Sequence, residues 1–103
     1  MEKIKNYLKE KKYFISNYED LRKDIKVIIN DPSDEVPEET LKDAIYLLRK
    51  CEVSIDRMDK LVKSMKPEEK LVLEETIIEV QSKKDGFEKR KNILLLLEEA
   101  VKS

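Results

Sequence analysis

Residues 2–29 read EKIKNYLKEKKYFISNYEDLRKDIKVII. Within this stretch one set of side chains, apolar except for a single lysine, recurs alternately three and four positions apart: Ile4, Tyr7, Lys11, Phe14, Tyr18, Leu21, Ile25 and Ile28. This spacing lines one side of an α-helix and produces a wide apolar face that requires a packing partner. The stretch therefore predicts a long amphipathic helix within an all-α protein.

Strong helix breakers are few in the chain, so they indicate where the helices end: Pro32, Pro37, Pro67 and Gly86. They divide the sequence into four predicted helices, which cover residues 2–29, 37–65, 67–83 and 86–102. Because only a short link joins the first two long helices, these two should form an antiparallel hairpin. The sequence thus predicts a single domain over residues 1–103, an antiparallel four-helix bundle built on the long hairpin.

Composition limits the classes of function. The 103-residue chain is 44% charged, has a net charge of -1, and contains no histidine. Without histidine it lacks the commonest general base and the commonest metal ligand. The single cysteine excludes an internal disulfide, and no apolar run approaches the ~20 residues of a membrane-spanning helix. Since the first eight residues also lack the apolar segment of a signal peptide, we expect a cytoplasmic protein away from membranes.

Carboxylates and the one thiol are the remaining candidates for chemistry. All-helical nucleotide pyrophosphohydrolases bind magnesium through Glu-Glu-x-x-Glu on one helix, whereas residues 74–79 read EETIIE, which is one residue too long. Cys51 falls on the apolar stripe of the second helix, so we expect a buried structural thiol. The sequence therefore predicts no catalytic, cofactor-binding or metal-binding residues, and a protein that is not an enzyme.

Several apolar residues fall outside the face that the hairpin should bury. They lie on the second helix and in the leucine-rich segment of the last one: Tyr46, Val53, Leu95 and Leu96. One interpretation is that the third and fourth helices fold back and cover these residues. The other is that they form a surface for a protein partner or for a second copy in a homodimer.

A cluster of lysines follows the start of the chain and surrounds two tyrosines: Lys3, Lys5, Lys9, Lys11 and Lys12, with Tyr7 and Tyr13. Such a cluster is typical of a solvated helix face, and it would also suit a contact with phosphate or with an acidic partner. Lys11 differs from the others because it falls within the apolar stripe. We expect its side chain to reach the rim of the helix interface or to set the helix register.

Residues 64–74 read SMKPEEKLVLE, a run that resembles the entry of sigma-region-4-like helix-turn-helix domains. Residues 64–103 are similar in plan to the C-terminal halves of small phage transcription regulators that contain such domains. This resemblance implies DNA binding through the last helix, with the following residues as phosphate or base contacts: Lys89, Arg90, Lys91 and Lys102.

Two hypotheses of function follow from the sequence. The first is a small non-catalytic helical protein, without a cofactor, that regulates or assembles by binding a protein partner through a helix face. The alternative is a small DNA-binding transcription regulator, phage or bacterial, with a degenerate helix-turn-helix in its C-terminal half.

Overall fold

The computed structural model describes residues 1–33 and 35–102, and these residues form helices without any strand. Their bounds are α1 (Glu2–Asn30), α2 (Glu38–Ser64), α3 (Pro67–Val72) and α4 (Glu74–Lys102). The predicted all-α class is confirmed, and both ends of the first two helices lie within one residue of the predicted positions. The described chain is elongated, with dimensions of 53 × 20 × 17 Å.

Helices α1 and α2 pack against each other as an antiparallel hairpin. Contacts that cross between them pair early residues of α1 with late residues of α2. The Lys3 Nζ donates to the Ser64 carbonyl oxygen over 2.6 Å, and Arg57 lies 3.3 Å from Glu10. Further along the hairpin, the Cys51 thiol lies 3.9 Å from the Phe14 carbonyl oxygen. The hairpin on which the predicted fold was based is therefore present.

Small side chains allow the two helices of the hairpin to approach closely. On α2, Ala44, Cys51 and Ser54 are all buried, and each occupies little volume. The Cys51 sulfur reaches the backbone of α1 itself, beside Phe14, which is fully buried. A larger side chain in this seam would force the helices apart, at a cost of about 1–3 kcal/mol.

Helix α4 lies alongside both helices of the hairpin. It runs parallel to α1 and antiparallel to α2, as shown by the order of the contacts that join them: Lys11–Glu79, Tyr18–Arg90, Glu52–Lys91 and Asp59–Lys84. Its buried residues recur every seven positions from the preceding turn onward: Leu73, Val80, Phe87 and Leu94. Ion pairs lie on both flanks of this narrow apolar stripe, and α4 approaches the hairpin less closely than α1 and α2 approach each other.

The predicted antiparallel four-helix bundle is not confirmed, because α3 is too short to form one of its walls. The turn before α3 does lie where the proline predicts it. Lys66 is extended, and its backbone N–H donates to the Glu69 carboxylate over 2.9 Å, which caps the helix that begins at Pro67. This cap lowers the pKa of the Glu69 carboxyl.

The predicted break between residues 83 and 86 is wrong, because α4 continues through Gly86. The reason for the glycine is packing. A methyl group at position 86 would lie 2.5 Å from the Tyr18 hydroxyl oxygen. Arg90 donates to that hydroxyl over 3.0 Å and to the Gly86 carbonyl over 3.1 Å, so the glycine makes room for a tyrosine from α1.

Three aromatic rings join α4 to the hairpin near this point. Phe14 and Tyr18 stack with their centroids 5.7 Å apart, and Phe87 meets both rings edge-on at 6.1 and 6.3 Å. Such geometries add about 0.5–1.5 kcal/mol per pair beyond the burial of area. Among the described residues, no helix combines the length and the apolar character that crossing a membrane requires.

We expect the effect of Gly86→Ala on stability to change sign with the residue at position 18. In the wild-type background the added methyl group collides with the Tyr18 hydroxyl, so the variant should be less stable. With Tyr18→Phe the hydroxyl is absent, and the alanine should gain up to about 1 kcal/mol from its helix propensity. Urea unfolding of the four proteins in this double-mutant cycle measures the coupling. A stabilising Gly86→Ala in the wild-type background would contradict the packing explanation.

Candidate functional site

A groove along the outer side of the α1–α2 hairpin, on the side away from α4, contains two of the four predicted partner-binding residues. Tyr46 and Val53 are about half exposed, and Tyr13 of α1 lies with them at 49% exposure. This part of the groove has a volume of about 580 Å³. Three large side chains with apolar surface, contributed by two rigid helices, form its lining together with polar and charged residues.

The groove continues toward the start of α1 and the end of α2. Glu10 and Arg57 line both parts of it, and the second part adds Asn6, Leu61 and Ser64. Together the two parts follow α1 from residue 6 to residue 17, which is about 17 Å or three helical turns. We call this whole surface the hairpin groove.

Basic side chains surround the aromatic residues of the hairpin groove. The Lys50 Nζ lies 4.8 Å from the centre of the Tyr46 ring, and the Lys9 Nζ lies 6.0 Å from that of Tyr13. The complete set of charged residues in the lining is five cations, namely Lys9, Arg49, Lys50, Arg57 and Lys60, and one carboxylate, Glu10. Since the chain as a whole has a net charge of -1, this surface concentrates positive charge.

The other two predicted partner-binding residues lie elsewhere. Leu95 borders a shallow groove between α2 and α4, beside Ile45 and Arg49, and Leu96 is 67% exposed on α4. The structure therefore brings Tyr46 and Val53 together and keeps Leu95 and Leu96 apart from them. Helix α4 does not cover the first pair, because it packs on the opposite side of the hairpin.

Most of the residues that the helix-turn-helix resemblance assigned to DNA take part in contacts within the chain. Arg90 is bound to Tyr18 and to the backbone of α4, as described above. Lys91 lies 2.9 Å from Glu52, which raises the pKa of the lysine, and Lys102 lies 3.7 Å from Glu98. Lys89 is exposed on α4.

The lysine cluster at the start of the chain is dispersed around α1. Lys9 and Tyr13 line the hairpin groove, whereas Tyr7 is buried in the core, where burial raises its pKa to about 12. Lys11 reaches across to α4 and lies 2.9 Å from Glu79. Its position within the apolar stripe thus serves a contact between helices at the rim of the core.

Acidic residues follow the hairpin groove on the side of the α1–α2 link. Asp24 lies two turns beyond Asn17 on the same face of α1, and Asp43 lies one turn before Tyr46 on α2. Burial raises the pKa of Asp24 to about 7, as do a hydrogen bond with Asp43 and the negative charges of Asp43 and Asp20. The positive charge of the groove therefore ends at this pair of carboxyl groups.

The thiol lies in the core of the hairpin. Cys51 is fully buried between α1 and α2, and burial raises its pKa to about 12. Within residues 1–33 and 35–102, no three side chains of the metal-binding types come together in a way that could hold an ion.

Sequence reasoning did not place Arg49, Lys50 and Arg57 in a site, and it did not bring Tyr13 next to Tyr46. The register between α1 and α2 is what would have predicted that these residues lie together. Once Glu10 is set opposite Arg57, the turns that follow place Tyr13 opposite Ser54, beside Val53. That register depends on the close packing at Cys51, which periodicity alone does not reveal.

Comparisons of this chain with models of known protein families, with curated proteins and with solved structures found no match.

We expect Asp24→Asn to stabilise the protein at high pH and not at low pH. The folded state holds the Asp24 proton up to about pH 7, whereas the unfolded state releases it near the ordinary value of 3.8. This group's contribution to stability therefore falls as the pH rises through that window. The gain in Tm from Asp24→Asn should be on the order of 5 °C above pH 7 and should vanish below about pH 4. Thermal scans across this range measure it, with Asp56→Asn on the exposed side of α2 as the control.

We expect the Cys51 thiol to be inert in the folded protein. Its burial and raised pKa leave almost no accessible thiolate at pH 8, so a chromogenic disulfide reagent should react only after denaturant is added. A control variant that combines Cys51→Ala with Ser16→Cys, on the exposed side of α1, should react within the mixing time. Rapid labelling of Cys51 without denaturant would show that the hairpin seam opens readily.

Proposed function

We propose that this protein is a small, non-catalytic, cytoplasmic interaction protein that binds a helix of a protein partner in the hairpin groove. The observation that carries the proposal is the juxtaposition of Tyr13, Tyr46 and Val53 on two rigid helices, with no element of the described chain above them. Tyrosine and arginine are enriched among the residues that supply most of the binding energy at interfaces, and the groove has two of each, Tyr13, Tyr46, Arg49 and Arg57.

The shape of the surface favours a helix as the occupant. Two antiparallel helices leave a straight furrow between them, and a third helix can pack into it by the ridges-into-grooves rule. Helix α4 already occupies the furrow on the opposite side of the hairpin. A partner helix in the hairpin groove would complete a four-helix arrangement of the kind that the sequence predicts, with one helix supplied by another protein.

A second copy of this chain fits the groove less well. Two hairpin grooves facing each other would bring five cations against five, with only Glu10 in each lining, and Asp56 beside Lys60, to offset them. Like charges brought together in an interface disfavour association, so this surface suits a different protein better than a second copy.

Nucleic acid also fits the groove less well than a protein helix does. The lining includes two aliphatic side chains, Val53 and Leu61, which a partner helix can bury and on which a base does not stack. The carboxyl groups of Asp24 and Asp43 would repel a phosphate backbone that continued along the furrow, whereas a short helix can end before them. Nucleic-acid binding would appear in a crosslinking experiment as capture that nuclease abolishes.

Site-specific photo-crosslinking tests the proposal. A photoreactive phenylalanine analogue replaces Tyr46 in one tagged protein and Leu96 in another, and both are illuminated in cell lysate with and without nuclease. We expect a protein to be crosslinked at position 46 and not at position 96, and the yield should be insensitive to nuclease. Mass spectrometry of the crosslinked peptide identifies the partner segment, which should have helical periodicity.

Val53→Glu is the matched variant for this experiment. The substitution should leave stability within about 0.5 kcal/mol, because Val53 is half exposed and glutamate favours helices. It should remove the crosslink at position 46, whereas Ile78→Glu, on the exposed side of α4, should not. Crosslinking only at position 96, or loss of the captured material on nuclease treatment, would overturn the proposal in favour of the α4 surface or of nucleic acid.

A further inference from the structure

The charges of the hairpin groove identify the kind of helix that it would bind. Of the five cations in the lining, Arg57 lies against Glu10, which is only 12% exposed at its side chain. Lys60 forms an ion pair with Asp56 of the preceding turn over 3.0 Å. Lys9, Arg49 and Lys50 have no carboxylate partner among the other residues that line the groove.

These three side chains lie on both sides of the furrow. Lys9 belongs to α1, and Arg49 and Lys50 belong to α2, so a helix lying between them would meet cations at both of its edges. Beneath such a helix lie Tyr13, Tyr46 and Val53, which offer it apolar surface. The lining is therefore complementary to an amphipathic helix. Apolar side chains lie at the base of the groove, and cations lie along both of its edges.

The extent of the basic region limits the length of the helix that the groove would attract. The basic region begins beside Asn6 and Ser64 and ends before Asp24 and Asp43, whose carboxyl groups lie together on the same face. A negatively charged helix would be attracted along about three turns and repelled at the aspartate pair.

We infer that the hairpin groove binds an acidic amphipathic helix of three to four turns, with an apolar stripe flanked by glutamate or aspartate on both edges. This inference rests on the proposed function and adds the chemistry of the partner. The carboxylates of the helix would pair with Lys9, Arg49 and Lys50 at the rim. Rim charges of this kind act mainly on association rate and on the choice of partner.

Two synthetic peptides test the inference on the 103-residue chain. Each carries the same apolar stripe of leucine and isoleucine and is cyclised through side chains to hold three to four helical turns, since short free helices are marginal in water. One peptide has glutamate at both edges of the stripe, and the other has lysine at the same positions. Fluorescence anisotropy measures the Kd of each at low and at physiological salt.

The acidic peptide should bind at least about tenfold more tightly than the basic peptide, and its affinity should fall as salt rises. The double variant Arg49→Glu/Lys50→Glu should reverse this preference, whereas Lys89→Glu on α4 should leave it unchanged. Both variants alter exposed side chains, and their far-ultraviolet circular dichroism and Tm verify that they are folded.

The other outcomes separate the inference from the proposed function. Equal binding of the two peptides, or tighter binding of the basic peptide, would overturn the inference that the partner helix is acidic. If Val53→Glu abolishes that binding, the proposal that the groove binds a helix would still stand. If neither peptide binds and a single-stranded oligonucleotide does, with loss in the double variant, both proposals are overturned.

Discussion

The contact between the three rings of Phe14, Tyr18 and Phe87 is the interaction on which the rest of the structure depends. It is the point at which α4 meets the hairpin, and it lies beside the seam where Cys51 reaches the α1 backbone. Small residues on α2, such as Cys51, leave room for Phe14, and Gly86 on α4 leaves room for the Tyr18 hydroxyl. Because α4 is held there, and by flanking ion pairs, it remains on one side of the hairpin and leaves the other side uncovered.

That asymmetry gives the hairpin two different faces. On the α4 side, apolar side chains are buried and charged ones pair across the helix boundaries, as Lys91 does with Glu52. On the other side, Tyr46 and Val53 remain half exposed, and basic side chains gather around them without equal numbers of acids. A protein with a near-neutral total charge can therefore present a local surface with a concentration of positive charge.

Agreement between sequence and structure is closest where the signals are local. The stripe from Ile4 to Ile28 predicted the first helix, and the extended Lys66 before Pro67 produced the expected turn. The buried thiol of Cys51 also agrees with its position in the stripe of the second helix. The helix break predicted at Gly86 is wrong. Glycine ends many helices, but here a tyrosine from another helix occupies the space that a side chain at position 86 would fill.

The sequence by itself determined that this protein is helical, where its first two helices begin and end, and that they form a hairpin. Helical periodicity and proline act within a few residues, so residues close together in the chain determine where these helices lie. Only the tertiary structure decided that the last helix is continuous, that Leu95 lies apart from Tyr46, and that Tyr13 joins Tyr46 and Val53 in one basic groove. These features depend on the register between helices, and that register is set by the packing of side chains distant in the chain.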